Sequence, residues 1–223
     1  MVVTAVAAPL LGRGDAVTLP PILPLLVGCV IVSEVMSAYV LFHEFQLSKL
    51  RWLPFIAAAY LLTAVLTIPY ILTFPGVFAP AVLSRLAAQT AVHMWFLWHG
   101  AFPLLLLGAV WLGLFPRDIP IEEARTVRWA TWLTIAACVA VGFAAPFVSR
   151  ALSVYLPEMV QGRAFTAATI YVALPITVAL DAGALIVILG RTRLQSAFSV
   201  WLTLALVASA LDAIMGLFSA RFT

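Results

Sequence analysis

An all-α, polytopic bundle of about six transmembrane helices is the fold class that the sequence predicts, and three observations predict it. Of 223 residues, 65% are hydrophobic and only 9% are charged, whereas a soluble globular domain is about half apolar and about a quarter charged. Six apolar stretches reach the roughly 20 residues that a helix needs to cross a bilayer. The 14 Pro and 12 Gly lie in this apolar background, which bundled membrane helices accept more readily than water-soluble ones.

The six stretches run from Leu19 to His43, Trp52 to Thr73, Leu86 to Leu114, Trp129 to Val148, Ala164 to Leu189 and Ala197 to Ser219. Their length and the lack of period-two alternation argue against membrane strands. Because the runs are continuously apolar, periodicity does not separate lipid-facing from protein-facing sides. The links are short. Phe74-Pro75-Gly76 suits a tight turn. Pro116 to Val127 places Pro120, Glu122 and Glu123 where a helix first turn favours them. The longest link, Ser149 to Arg163, has room for a short surface helix. No soluble domain, internal repeat or low-complexity tail interrupts the chain, so residues 1–223 read as one domain.

The formal charge of +3 is spread over the links, and no basic block points to nucleic acid. Lys49, Arg51, Arg117, Arg125, Arg128, Arg191 and Arg193 fall at the odd-numbered links, and Arg13, Arg85, Arg150, Arg163 and Arg221 on the other side, seven against five. The excess places the odd-numbered links in the cytoplasm, with both chain ends outside. Val2 to Leu11 makes a poor signal peptide, since Arg13 follows the apolar run instead of preceding it. Cys29 and Cys138 both lie in apolar runs and read as small buried hydrophobes, not as a disulfide or metal pair.

Ionisable side chains at lipid depth are expensive and point to function. Glu34, His99, Asp181 and Asp212 occupy the first, third, fifth and sixth stretches. At about 1.5 Å per residue, Glu34, His99 and Asp181 fall near the midplane or slightly to its cytoplasmic side, and Asp212 nearer the outer half. Ser33, Ser37 and Ala38 flank Glu34, and Ala205, Ser209 and Ala213 recur beside Asp212. Small residues let helices approach closely, so the acids are expected to face the bundle interior. Each acid either ties two helices together or lines a proton, ion or ligand site; the tie is the expected role of Asp212. His43 reads as an interfacial residue at a helix end. His93 and His99 are six apart, so they diverge by about 120° and do not form the axial pair of one haem. A haem or metal at His99 would need a ligand from another helix, and none is predicted. Trp98, His99 and Pro103 together suggest a kinked pocket wall. Hydrolase, phosphate-loop, HExxH and kinase motifs are missing, so a soluble-type enzyme is not expected.

Several segments resemble one family. Tyr60-Leu61-Leu62-Thr63-Ala64, Ile68-Pro69 and Leu72-Thr73-Phe74-Pro75-Gly76 are similar to the second helix and turn of the bacterial membrane-associated sensor (MASE) domains of the fourth type. Trp98-His99 with Phe102-Pro103-Leu104 resembles that family's Trp-His…Phe-Pro-Leu segment, and Asp181-Ala182-Gly183-Ala184-Leu185 its Asp-x-Gly-Ala-Leu motif. Glu34, ahead of Ser37 to Phe42, and Asp212 stand where the family carries acids. The resemblance spans nearly the whole chain in order. It implies an integral membrane sensory input domain of the bacterial inner membrane, of the kind fused to a histidine kinase or a GGDEF-type diguanylate cyclase in two-component or cyclic di-GMP signalling. A homodimer is compatible with that role. Against the family pattern, the chain is expected to be truncated at both ends, with 1–18 holding the remnant of a preceding helix, 19–219 the six helices, and no output domain following.

The sensor reading takes Glu34, His99 and Asp181 as the polar centre, with Trp98 and Pro103 shaping the pocket and Asp212 beside it. Its rivals are a small ion- or proton-coupled transporter, a haem- or metal-binding membrane protein, and a scaffold without ligand.

Overall fold

A computed structural model of the chain describes residues 22–74, 77, 84–113, 121–161 and 164–219. The expectations for residues 1–18, for the Pro75-Gly76 turn and for Pro120, Arg117, Arg163 and Arg221 lie outside the described residues. The helices are α1 (Ile22–Ser48), α2 (Leu53–Thr73), α3 (Ser84–Trp111), α4 (Ala124–Ala151), α5 (Leu174–Thr192) and α6 (Ala197–Ser219). All six are long and apolar enough to cross a membrane, the fifth counted with the π-helical turn Thr169–Ala173 that leads into it.

The links alternate between the two ends of the bundle. At one end the Ile121 N–H donates to the carbonyl of Lys49 at 3.0 Å, and Trp52 packs on Phe198 with ring centroids 5.6 Å apart, joining the links before α2, α4 and α6. At the other end Gln89 on α3 reaches the segment between α4 and α5. Helix α2 is central. It packs most extensively on α3 and α1 and also on α4, while α5 pairs with α6 and docks on α3. The fully buried core between them is carried by Phe45, Leu53, Ile56, Leu106, Leu202 and Leu206. Large apolar side chains such as Leu133, Phe143, Phe147 and Ile186 face outward, as lipid contact requires. Exposed Trp111 and Trp129 at one end, and Tyr155 and Tyr171 at the other, suit the aromatic belts of membrane interfaces.

Prolines sit inside α2, α3 and α4, at Pro69, Pro103 and Pro146. A helical proline has no N–H to offer the carbonyl four residues back. Those carbonyls belong to Val65, His99 and Gly142. Two of these residues meet at a close helix crossing: a Cβ on Gly142 would overlap Val65 Cγ1. The third, His99, lies in the candidate site.

The structure departs from the sequence expectations in several places. Helix α1 continues to Ser48, a turn beyond His43, because Phe45 in that turn is fully buried against the core. The chain then leaves through Lys49 at φ 60, whose N–H returns to the Phe45 carbonyl at 2.8 Å. Glu122 and Glu123 precede α4 instead of lying in its first turn. Glu123 occupies the cap position and accepts a hydrogen bond from the Thr126 hydroxyl at 2.9 Å. Cys29 is exposed rather than buried, since an apolar run serves a lipid face as well as a core; Cys138 is buried, with its thiol 3.8 Å from the Ala58 carbonyl.

Among its described residues, the link after α4 forms no surface helix. It carries a two-residue ribbon, β1 (Val160–Gln161) paired antiparallel with β2 (Ala164–Phe165). A side-chain amide explains the preference. Gln89 Nε2 donates to the Val160 carbonyl at 2.7 Å, and Gln89 Oε1 accepts from the Met159 N–H at 2.8 Å. Thr169 donates to the Met159 carbonyl at 2.6 Å and ties the ribbon to the π turn. Gln89→Ala should loosen this clamp at a cost of about 1 kcal/mol, and hydrogen exchange should quicken at residues 159–161 while the helices keep their protection.

Candidate functional site

Helices α3, α5 and α6 bring three of the predicted ionisable residues together. His99 on α3 is 1% exposed, and its Nε2 lies 3.0 Å from Asp212 Oδ2 on α6. Asp181 on α5 is fully buried and accepts a hydrogen bond on Oδ2 from the Ser209 hydroxyl of α6 at 3.2 Å. It stands within electrostatic range of both His99 and Asp212. Ser209 and Asp212 are three residues apart, so one face of α6 serves both contacts.

The tautomer of His99 follows from its partners. Nδ1 lies 3.0 Å from the Trp95 carbonyl oxygen. A carbonyl oxygen only accepts, so Nδ1 carries a hydrogen and donates. The short Nε2–Oδ2 contact then needs a proton of its own, since a bare ring nitrogen and a carboxylate oxygen repel. That proton sits on Nε2, giving imidazolium and carboxylate, or on Asp212, giving neutral imidazole and carboxylic acid. Both forms leave the pair with no net charge, which suits its depth.

Packing holds the imidazole in place. The Trp95 ring stacks on it with centroids 3.8 Å apart, and Trp98 adds a tilted contact at 5.4 Å. Tyr70 on α2 meets Trp98 edge-on at 5.0 Å and is within electrostatic range of Asp212. Asp181 Oδ1 is buried without a hydrogen-bond partner among the described residues. The site therefore holds one shared proton, one hydrogen-bonded carboxyl oxygen and one unpartnered oxygen, with aromatic rings packed on the imidazole.

Residues 17–223 match the family MASE4, described as a membrane-associated sensor, integral membrane domain. The chain belongs to this family. No curated protein and no solved structure matches it. The MASE4 fold here is an integral membrane helix bundle, as both the family and the six spans state.

In this MASE4 domain the sequence-predicted residues divide. His99, Asp181 and Asp212 meet. Residue counting expects Asp212 nearer the outer half, yet it pairs with His99, so the two lie at one depth. Glu34 stands apart: its Oε2 is buried without a hydrogen-bond partner among the described residues, and Tyr60 of α2 stands within its electrostatic range. Trp98 lines the site, and Pro103 acts one turn along α3 by leaving the His99 carbonyl without its helical donor. His93 turns to another helix, its Nδ1 2.8 Å from the Ser149 hydroxyl of α4. Among the described residues no group of three or more His, Cys, Asp or Glu is placed to hold a metal. Sequence reasoning misses Trp95 and Tyr70 as partners, and reads Ser209 only as a small residue beside Asp212. Trp95 leaves a signal, standing one helical turn before His99, where side chains stack.

Proposed function

We propose that this membrane-associated sensor domain is the input unit of a bacterial signalling system in the cytoplasmic membrane, read out by a histidine kinase or a GGDEF-type diguanylate cyclase. The polar centre His99, Asp181 and Asp212 is its responsive element, and the odd-numbered links face the cytoplasm. One observation carries the reading: His99 Nε2 on α3 lies 3.0 Å from Asp212 Oδ2 on α6, a contact that one shared proton would hold together. A stimulus that adds, removes or redirects that proton changes the force between two helices, and a two-state helix packing can report it.

The test joins the chain, through one added spanning helix, to a cyclase domain and follows cyclic di-GMP. Asp212→Asn supplies a permanent donor to neutral Nε2 and holds the pair in one state. Output should settle at one limit and shift by about 5-fold or more, the scale of a coupling above 1 kcal/mol. Unchanged output from the Asp212→Asn, Asp181→Asn and His99→Gln variants would refute the assignment. A proton-coupled carrier would draw on the same pair and on the unpartnered Asp181 oxygen. Proton flux into liposomes that disappears in Asp212→Asn would favour that second reading.

A further inference from the structure

Helices α1 and α6 do not pack extensively on each other, and a cavity of about 720 Å³ opens between them over the start of α2. Its lining follows α1 from Met36 to Glu44, roughly 12 Å at 1.5 Å per residue. Glu44 lies one turn before α1 ends at Ser48, so the cavity runs from the end of the bundle toward lipid depth. Its walls are mainly carbon, with Ser37 at the deep end and Glu44 and Ser196 at the shallow one. Three aromatic rings of the lining stand side by side: Trp52 and Phe198 with centroids 5.6 Å apart, Phe198 and Trp201 with centroids 6.3 Å apart. Trp201 stacks on Tyr60 at 5.2 Å, so the part of the indole that stays exposed is its opposite face and its edges. Glu44 supplies the one charge among the described residues that line the cavity; Lys49 and Arg51 of the adjoining link do not line it. The Glu44 side chain is exposed, and its carboxyl has no hydrogen-bond or ion-pair partner among the described residues.

We propose that this cavity binds an amphiphile with an ammonium head, the cation held at Glu44 and the apolar body laid along α1 toward Met36. Each part of the lining selects a part of the ligand. The Glu44 carboxylate accepts hydrogen bonds from an ammonium and attracts its charge. Aromatic rings attract a cation through their quadrupole, and three of them share the cavity with that carboxylate. A phosphate or carboxylate head alone would meet Glu44 as a like charge. An uncharged head would draw on neither attraction. The carbon walls at lipid depth suit a chain that arrives from the bilayer. The site goes beyond the sensor reading, since binding is measurable whether or not His99 and Asp212 signal.

The test uses the full chain at neutral pH in nanodiscs of dioleoylphosphatidylglycerol, a lipid without an ammonium group. The probe is hexadecylamine bearing a mid-chain diazirine, followed by peptide mapping. Crosslinks are expected in residues 36–41 and 196–201, which hold the cavity's α1 and α6 walls. On the wild-type chain, unlabelled hexadecylamine should compete about tenfold better than hexadecan-1-ol at equal mole fraction in the bilayer, the scale of one hydrogen bond to a charged group. Glu44→Gln keeps the shape of the side chain and removes its charge. Labelling should fall by a similar factor in the same bilayer, while the unfolding midpoint stays at the wild-type value because the side chain is exposed. Competition by dioleoylphosphatidylethanolamine assigns the ammonium to a lipid headgroup; competition by hexadecylamine without it assigns the ammonium to a free amphiphile. Labelling spread over the lipid-facing surface, equal competition by the amine and the alcohol, or undiminished labelling of the Glu44→Gln variant overturns the proposal.

Discussion

Replacing His99 with alanine is expected to destabilise the bundle by about 3–5 kcal/mol, the cost of removing one partner from a buried pair. The imidazole is almost wholly buried, stacks on Trp95 and holds Asp212 at 3.0 Å. Among the described residues, its loss takes away the basic group shown to act on Asp181 and leaves the carboxyls of Asp181 and Asp212 within electrostatic range of each other. It also opens a cavity under the Trp95 ring. Asp212 retains a 33% exposed side chain, so part of its charge can find other partners, and the lower half of the range is the better expectation. Asp212→Asn should cost far less, below about 1 kcal/mol, because an amide N–H can donate to neutral Nε2 at nearly the same geometry. Unfolding of both variants in nanodiscs checks the contrast. A mere loss of packing at His99 would not by itself make the asparagine variant mild.

Gly142→Ala carries the second large effect. The new methyl group would overlap Val65 Cγ1, with the Val65 backbone close behind, so α2 and α4 must separate or Val65 must leave its rotamer. Overpacking of this kind costs about 1–3 kcal/mol. The crossing has little give on either side. Pro69 leaves the Val65 carbonyl, and Pro146 the Gly142 carbonyl, without a helical donor, so both helices are already modified at the point of contact. Val65→Ala should rescue Gly142→Ala, because it removes the methyl group that the new Cβ would strike. Failure of the rescue, with each single variant destabilised in full, would place the cost in the α4 backbone and not in the crossing.

The contrast between what the residues foretold and what they did not is physical. Composition and run length suffice to locate spanning helices, because lipid imposes one requirement on every residue of a span. The same uniformity hides which side of a span meets protein, so Cys29 read as buried and proved exposed. Counting residues places a side chain along the normal only to about a turn, and that was enough to misplace Asp212 relative to His99. Pairing depends on how α3, α5 and α6 are rotated, which a chain with no charge pattern along its helices does not disclose. Small neighbours did point the right way at Ser209, which proved a hydrogen-bond donor to Asp181 as well as a spacer. The ribbon at β1 and β2 escaped notice because its cause is a single amide, Gln89, about 70 residues upstream in the chain.

A double-mutant cycle on His99 and Asp212 tests the pairing at the heart of the site most directly. His99→Ala, Asp212→Ala and the double variant are unfolded side by side in lipid nanodiscs. A proton-joined pair predicts that the double variant loses less than the two single losses combined, by about 1 kcal/mol or more. Losses that add to within about 0.3–0.5 kcal/mol would mean that the two side chains do not act on each other, contradicting the shared proton and the polar centre built on it.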